Sequence, residues 1–513
     1  MKARLVIACF VWLFILLIGV GVWRYFVAPA REVAQEKAKQ ELHQKTIHMT
    51  GSESRYRTQI NYAFDSFSGY CVERSPEFEA ELGRKRIKVK LVDDNADYVA
   101  RLKAIQSGEI QMASFTIDAL IKASAEIGDM PATIVAIIDE TRGADAMVGY
   151  KTTIANIDAL NDPDMKFVLT PNTPSETLAR VVMSHFGLSN LSDKSFIEAK
   201  DAADVYNRYR KSKPTDKLAF VLWEPYVTKM LENPNVAVLV DSSRFRGYIV
   251  DVIVASRDFL VKDEPAVKDF VEAYFRSLYT HTQKTAGMSI LVANDAQKAG
   301  TPLNDKQTQR LVDGIWWKNT NENYAHMGLN NDKPLQHVED MIQNITSVLI
   351  STGAIANDPA NGQPNLLFHN GILAQLQNDN FHPGVVEESI RKDSDNLPSL
   401  SDEEWKKLIP VGTLQVPKIV FARGTARITE QSEITLNELI EKLQSWPNYY
   451  VKIIGNASLN GDLTANRNLA KSRAISVENY LKEHGINDAR LKSLSVEPTG
   501  NTDVVFQLGY TPY

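Results

Sequence analysis

The sequence predicts an α/β protein in three parts: an N-terminal transmembrane helix, a bilobal clamp and a small α+β domain at the C-terminus. Three observations carry this prediction. An uncharged apolar run opens the chain, strands and amphipathic helices alternate through its middle, and a compact strand–helix pattern closes it. The length of 513 residues suffices for two to four domains, and 44% hydrophobic with 23% charged content is ordinary for globular chains.

The apolar run is Leu5–Val22, preceded by Lys2 and Arg4 and followed by Trp23, Arg24 and Tyr25. A bilayer-spanning helix needs roughly 17–25 such residues, whereas a secretory signal core has about 7–15. Residues 1–30 are therefore read as a signal anchor. Ala28, Pro29 and Ala30 have the small-x-small form of a cleavage site, which leaves a cleaved signal as the alternative. Either way the rest lies outside the cytoplasm. Arg31–Gln44 is polar, free of Gly and Pro and rich in helix formers, so residues 31–54 are expected to carry a stalk helix.

From residue 55 to about 355 the pattern alternates. "RIKVKLVDD" (Arg86–Asp94) reads as a strand, "ADYVARLKAIQSG" as an amphipathic helix and "EIQMASF" as a strand. "ATIVAIID", "MKFVLT", "LAFVLWEP" and "VAVLVD" have the continuous apolar character of buried strands. "AMVGYK" (Ala146–Lys151) and "GYIVDVIVAS" (Gly247–Ser256) bracket one group of units, as paired crossovers between two lobes would; the second lobe is placed at about 150–248. Residues 286–355 read as mostly helical. Residues 356–412, rich in Asn, Asp, Pro and Gly, read as a linker, and "PKIVF" begins the C-terminal domain, 413–513.

Charge and motifs narrow the function. The net charge is −6, from 57 basic and 63 acidic residues that are scattered rather than blocked, so a nucleic-acid partner is not expected. Cys9 lies in the apolar run and Cys71 far beyond it, so no internal disulfide is expected and Cys71 reads as a small buried apolar residue. The nine His residues form no metal-protease pair, and the chain has no C-x-x-C, phosphate loop or nucleophile elbow. The protein is accordingly read as non-enzymatic, with no cofactor or metal.

The candidate binding residues stand at strand ends, where helix N-termini offer free N–H groups. They are Ser68, Gly69 and Tyr70 in "SFSGY"; Ser114, Thr116 and Asp118 in "SFTID"; Thr173, Ser175 and Glu176 in "TPNTPSET"; and Trp223 and Glu224 in "WEP". Each is also ordinary turn or capping chemistry. Their recurrence at one edge is what marks them.

"SFSGY", the run "VKLVDDNADYVARLKAIQSGEIQMASFTIDAL", "AIIDETRGADAMVG" and "FVLWEP" together resemble, in order, the periplasmic solute-binding proteins of the nitrate, sulfonate and taurine ABC-transporter type. The resemblance spans about residues 55–280. It implies a type II periplasmic-binding-protein-like clamp closing on a small-molecule solute, with an ABC permease or another envelope complex as partner. Glu176 and Glu224 favour an amine or a polyol over an oxyanion, and Arg142 reverses that argument if it points into the cleft.

In the C-terminal domain, Leu436, Leu439, Ile440 and Leu443 fall on one helical face, and Ala470, Ala474, Val477 and Leu481 form the stripe of a second helix. Asn466 and Arg473, seven apart, point the same way. The pattern Asn466, Leu469, Arg473, Ala474 followed by "VENYLKEHGI" resembles the OmpA-like peptidoglycan-associating domain. That resemblance implies that Arg473 forks onto a carboxylate of the wall peptide and that a partner Asp pairs its ammonium. The Asp position falls on Ser458, a neutral residue, which weakens the grip; Asp462 is four residues further on. The expected protein is thus a single-pass inner-membrane protein with its bulk in the periplasm. It binds a solute and contacts peptidoglycan; the alternative is a scaffold bridging membrane and wall without a small-molecule ligand.

Overall fold

The computed structural model describes residues 55–223, 226–330, 335–384, 388–391, 397–495 and 503–511. The predicted anchor and stalk, residues 1–54, lie outside the described residues, as does Glu224. No helix among the described residues is long and apolar enough to cross a membrane.

The apolar runs form two sheets. In chain order, lobe 1 begins with β1 (Thr58–Phe64), β2 (Ile87–Asp93), β3 (Met112–Thr116) and β4 (Ala132–Thr141). Lobe 2 takes β5 (Asp145–Tyr150), β6 (Lys166–Leu169), β7 (Phe196–Glu198), β8 (Leu218–Trp223) and β9 (Val236–Asp241). The chain then returns to lobe 1 as β10 (Val250–Ser256) and β11 (Ile315–Trp317). The lobe 1 order is β11-β4-β10-β3-β1-β2, and the lobe 2 order is β7-β6-β8-β5-β9. The returning strand β10 runs antiparallel between β3 and β4 while β1, β2 and β3 are parallel. A strand that comes back from the second lobe into the middle of the first sheet is what joins two α/β lobes by two crossovers, Thr141–Asp145 and Asp241–Val250. Such an arrangement makes a two-lobed clamp, and each crossover leads into one of the segments bracketed in the sequence, Ala146–Lys151 and Gly247–Ser256.

The central lobe strands are mostly apolar because both faces are covered. Every residue of β3, β4, β5 and β10 is buried, as expected for a sheet packed on helices on both sides. The helix Val338–Ser351 lies against both lobe 1 and lobe 2 helices, and Arg180 of lobe 2 donates to the Thr352 carbonyl at 2.8 Å.

The stretch read as a linker is built into this body. The helix Gly371–Asn378 buries Ile372, Leu373 and Leu376, and Ile134 of β4 exchanges backbone bonds with Leu367 and His369. Its Asn- and Gly-rich flanks hide a short amphipathic helix. The same stretch contains β12 (Ile409–Leu414), so the first strand of the C-terminal domain precedes "PKIVF", which forms only one isolated bridge, Phe421 to Ile428. Pro410 and Gly412 disguise β12. A proline is tolerated there because β12 is an edge strand, paired only with β15 (Val504–Tyr510) and bulged between Pro410 and Gly412.

The remaining strands, β13 (Tyr450–Gly455) and β14 (Leu491–Ser495), complete a sheet of order β12-β15-β13-β14. The helices Glu430–Ser445 and Leu463–Glu483 cover it with the two stripes expected from sequence, all eight residues being buried. The fold is therefore mixed α/β: a two-lobed clamp joined to a small α+β domain.

Candidate functional site

The strand-end candidates converge on the line between the lobes. Ser68–Cys71 is a short 3-10 turn after β1, and Tyr70 donates its hydroxyl to Asp251 at the start of β10. Gly69 is required by close approach: a Cβ there would lie 2.4 Å from Asp139 Oδ2 and 2.3 Å from the Phe67 ring. Thr116 caps the helix Ile117–Ile127, accepting from Ala119 N at 3.4 Å. Asp118, one turn into that helix, accepts from Thr177 Oγ1 at 2.5 Å.

On the lobe 2 side, Thr173 precedes the helix Pro174–His185 and donates to the Thr170 carbonyl at 2.7 Å. Ser175 donates to Asp145 Oδ1 at 3.3 Å. Glu176 is held by Lys122 of lobe 1 at 2.8 Å and by Arg180 at 2.6 Å. Burial pushes its pKa up, but these two cations hold it below the usual carboxylate range. Trp223 ends β8 opposite Asp145 in register. Ser114 sits elsewhere, inside the lobe 1 sheet, with its hydroxyl 2.6 Å from that of Tyr62. Arg142 pairs with Glu140 at 3.0 Å and stacks on Trp316 at 3.5 Å, so its charge is engaged beside the hinge.

Two residues expected to hold a ligand thus bridge the lobes instead, Asp118 to Thr177 and Glu176 to Lys122, while Ser175 and Asp145 pair within lobe 2. Beside this seam lies a cavity of about 610 Å³, lined among others by Tyr98, Lys122, Glu126, Asn172 and Ile355. A second cavity, of about 690 Å³, adjoins Cys71, Arg74, His281 and Asp295 in lobe 1. Cys71 is buried, and burial pushes its thiol well up, as an inert core thiol requires.

The sequence reading missed the most distinctive feature, a group of buried carboxyls at the hinge edge. Asp139 lies two residues from the end of β4, Asp145 opens β5 and Asp251 is the second residue of β10; with Asp118 all four are at most 3% exposed. Asp139 lies opposite Asp251 in the β4–β10 register. No donor from another residue meets either oxygen of Asp139, and Asp118 Oδ1 and Asp251 Oδ2 are likewise unsatisfied.

None of the four has an ion-pair partner among the described residues. Lys318, whose charge reaches Asp139, is bonded to Glu140 at 2.9 Å. Burial, and next the neighbouring acids, push the carboxyls up: Asp145 to about 7, Asp139 and Asp251 well above the usual range. Glu140 is the contrast. Equally buried, it is held far down by Lys318 and Arg142. The signal for the missed acids was present in "AIIDETRGADAMVG" and "GYIVDV", where a carboxylate interrupts or ends an apolar run. The four are not arranged as metal ligands: among the described residues no group of three or more His, Cys, Asp or Glu is placed to hold a metal ion.

In the C-terminal domain, Asn466 donates to the carbonyls of Ser458 and Asn460 at 3.2 and 2.7 Å, tying the helix Leu463–Glu483 to the loop after β13. Ser458 Oγ accepts from Asn460 N at 3.0 Å. Arg473 lies over the Phe421 ring at 4.9 Å and donates Nε to the Thr425 carbonyl at 3.1 Å, with no carboxylate partner among the described residues. Asp462 accepts from Thr464 N and Ala465 N as the helix N-cap. Its carboxylate is committed to that role, which argues against its standing in for the absent Asp.

The OmpA family model matches residues 420–507 of this chain. Among solved structures, the chain is similar to a sulfonate ABC transporter periplasmic binding protein from Methylobacillus flagellatus at 14% identity, covering 64% of this chain and 96% of that one, TM-score 0.46. The periplasmic aliphatic sulphonate binding protein of Escherichia coli is similar at 15%, 62% and 99%, TM-score 0.45. The nitrate-binding protein of Synechocystis PCC 6803 is similar at 13%, 62% and 88%, TM-score 0.44. No curated protein sequence matches. The chain thus joins a two-lobed α/β body to a C-terminal domain most of which the OmpA family model matches.

Proposed function

We propose that this protein is a non-enzymatic envelope protein whose clamp recognises a small cationic solute and whose C-terminal domain contacts peptidoglycan. An N-terminal signal anchor at residues 1–30 and a stalk at 31–54 hold it to the inner membrane, and its cargo passes to an ABC permease or another envelope complex. The observation that carries the ligand reading is the buried set Asp118, Asp139, Asp145 and Asp251, which has no ion-pair partner among the described residues. Isolated buried carboxylates are costly, so Asp139, Asp145 and Asp251 are pushed toward their protonated forms; an organic ammonium or amidinium would replace those protons with charge-assisted bonds. Glu176, the original argument for a cation, is satisfied by Lys122 and Arg180 and no longer contributes to it. The solute site comprises these acids with Ser68, Gly69, Tyr70, Thr116, Ser175 and Trp223 around the seam.

Native mass spectrometry of the gently purified chain, with thermal-shift screening of organic cations against sulfonates of matched size, tests this. We expect a bound cation, or stabilisation by cations that is lost in Asp139→Asn. Stabilisation by sulfonates alone would overturn the charge assignment. One observation favours a second reading: the bridges Thr177–Asp118 and Glu176–Lys122 already tie the lobes to each other. A protein that carries no small molecule and responds to none of the panel is a scaffold between membrane and wall.

A further inference from the structure

The C-terminal domain is joined to the clamp by a fully buried seat rather than a tether. Trp446, at the end of the helix Glu430–Ser445, is 0% exposed. Its indole Nε1 donates to His185 Nδ1 at 2.6 Å, and its ring meets those of Phe186 and Phe245, each at 5.3 Å. His185 is neutral, its pKa pushed down to about 3 by burial and then by Lys442, which suits the acceptor role. Its Nε2 lies 3.0 Å from the Tyr248 hydroxyl.

Phe245 and Tyr248 belong to the second crossover, Asp241–Val250. Backbone bonds reinforce the contact. Arg246 N donates to the Ser445 carbonyl at 2.9 Å, satisfying an end of the domain's helix, and Asn448 donates to the Ser243 carbonyl at 2.9 Å. The crossover is in turn fixed to the first: Gly247 N donates to Glu140 at 2.8 Å, and Gly143 N donates to Ser242 Oγ at 2.7 Å. One buried apolar cluster runs from the lobe 1 sheet through Phe245 and Tyr248 into Trp446 and the domain core.

The helix Pro174–His185 completes the connection. Its first turn carries Glu176 and Thr177, which bridge the lobes, and Ser175, bonded to Asp145 of its own lobe; its last residue, His185, receives the Trp446 bond. Twelve helical residues are a rigid rod of about 18 Å.

We infer that the C-terminal domain is a brace on the clamp's hinge: seated on the second crossover and on the far end of the Pro174–His185 rod, it holds the lobes in their closed relation, so unseating the domain and opening the cleft are coupled. The bistable element is the hinge, and the warrant is direct contact rather than proximity. The wall-facing residues Ser458 and Asn466 lie beyond the C-terminal end of β13, whereas Trp446 and Asn448 lie before its start. The seat therefore leaves the groove open, and a load on the domain reaches the hinge. This inference does not depend on which solute the clamp takes.

Hydrogen exchange on the full chain tests it, in Phe245→Ala, which leaves the C-terminal domain's own core intact, and in Trp446→Phe, which keeps a ring and removes the indole bond. We expect exchange at the cleft segments 139–146 and 172–178 to quicken by roughly tenfold in Phe245→Ala and less in Trp446→Phe, along with exchange at the seat itself. Faster exchange confined to residues 183–188, 243–248 and 443–449, or no change anywhere, would overturn the brace and leave the seat as packing alone.

Discussion

The cleft and the groove of the C-terminal domain are opposites. Among the described residues, the cleft holds carboxyls without cations, deep in the lobe strands, and the C-terminal domain holds a guanidinium, Arg473, without an acid. Burial makes them behave differently. In the cleft, burial weakens the screening of an unpaired charge, and Asp139, Asp145 and Asp251 answer by holding their protons more tightly. Arg473 is partly solvated and rests on an aromatic ring, so it keeps its charge with only a downward push from desolvation. An unpaired charge is thus a proton-binding group in one place and an open contact in the other.

This contrast can be broken first at the hinge, where the pairing of a buried acid is complete. Lys318→Met leaves buried Glu140 with Arg142 and the Gly247 N–H but without its lysine, and we expect a loss of about 1–3 kcal/mol in chemical denaturation. A loss under about 1 kcal/mol would show that burial does not set the scale there.

Next comes the pH profile. A carboxyl whose folded pKa is raised contributes most below its unfolded value near 4, and that contribution is lost as pH rises through the folded value. For Asp145 the folded value is about 7, so the stability of the ligand-free chain should fall across about pH 4–7, with Asp139 and Asp251 extending the fall upward. Asp139→Asn should raise stability at pH 8 by about 1–3 kcal/mol and flatten the upper part of the slope. Glu140, held down, acts with the opposite sign and only below about pH 4, where its stabilisation is lost on acidification. Urea titrations across this range check both signs, and a profile that climbs from pH 4 to 8 contradicts the account of the cleft.

At the groove, Ser458→Asp supplies the partner that Arg473 lacks. Retention on purified sacculi should rise about ten- to a hundred-fold, and the added Arg473→Ala should cancel the gain. The smallest effect is expected for Arg473→Ala alone, whose stability should stay within about 0.5 kcal/mol of the parent, because the guanidinium makes one carbonyl bond and one ring contact.

The two sites also differed in how far they could be read in advance. The groove side of the C-terminal domain was legible because its stripe residues and the pair Asn466 and Arg473 lie on single helices, where spacing fixes direction. The cleft was legible only as a set of strand ends. Thr116 and Ser175 were found through capping and turn chemistry, which is local. Asp139, Asp145 and Asp251 were passed over because each sits in a strand that reads as core, and only the antiparallel return of β10 places Asp251 beside Asp139. β12 and the helix Gly371–Asn378 were missed for a related reason: Pro410, Gly412 and the Asn-rich flanks carry local signals that edge position and packing override.

The sequence by itself determined the alternation of strands and helices, the two crossovers, and the amphipathic faces of the C-terminal helices, since all depend on periodicity within a segment. Only the tertiary structure decided which charges were left alone, and that Trp446 seats on His185 and Phe245. Pairing and burial join residues far apart in the chain, and no local pattern records whether a carboxylate will meet a lysine, a hydroxyl or another acid.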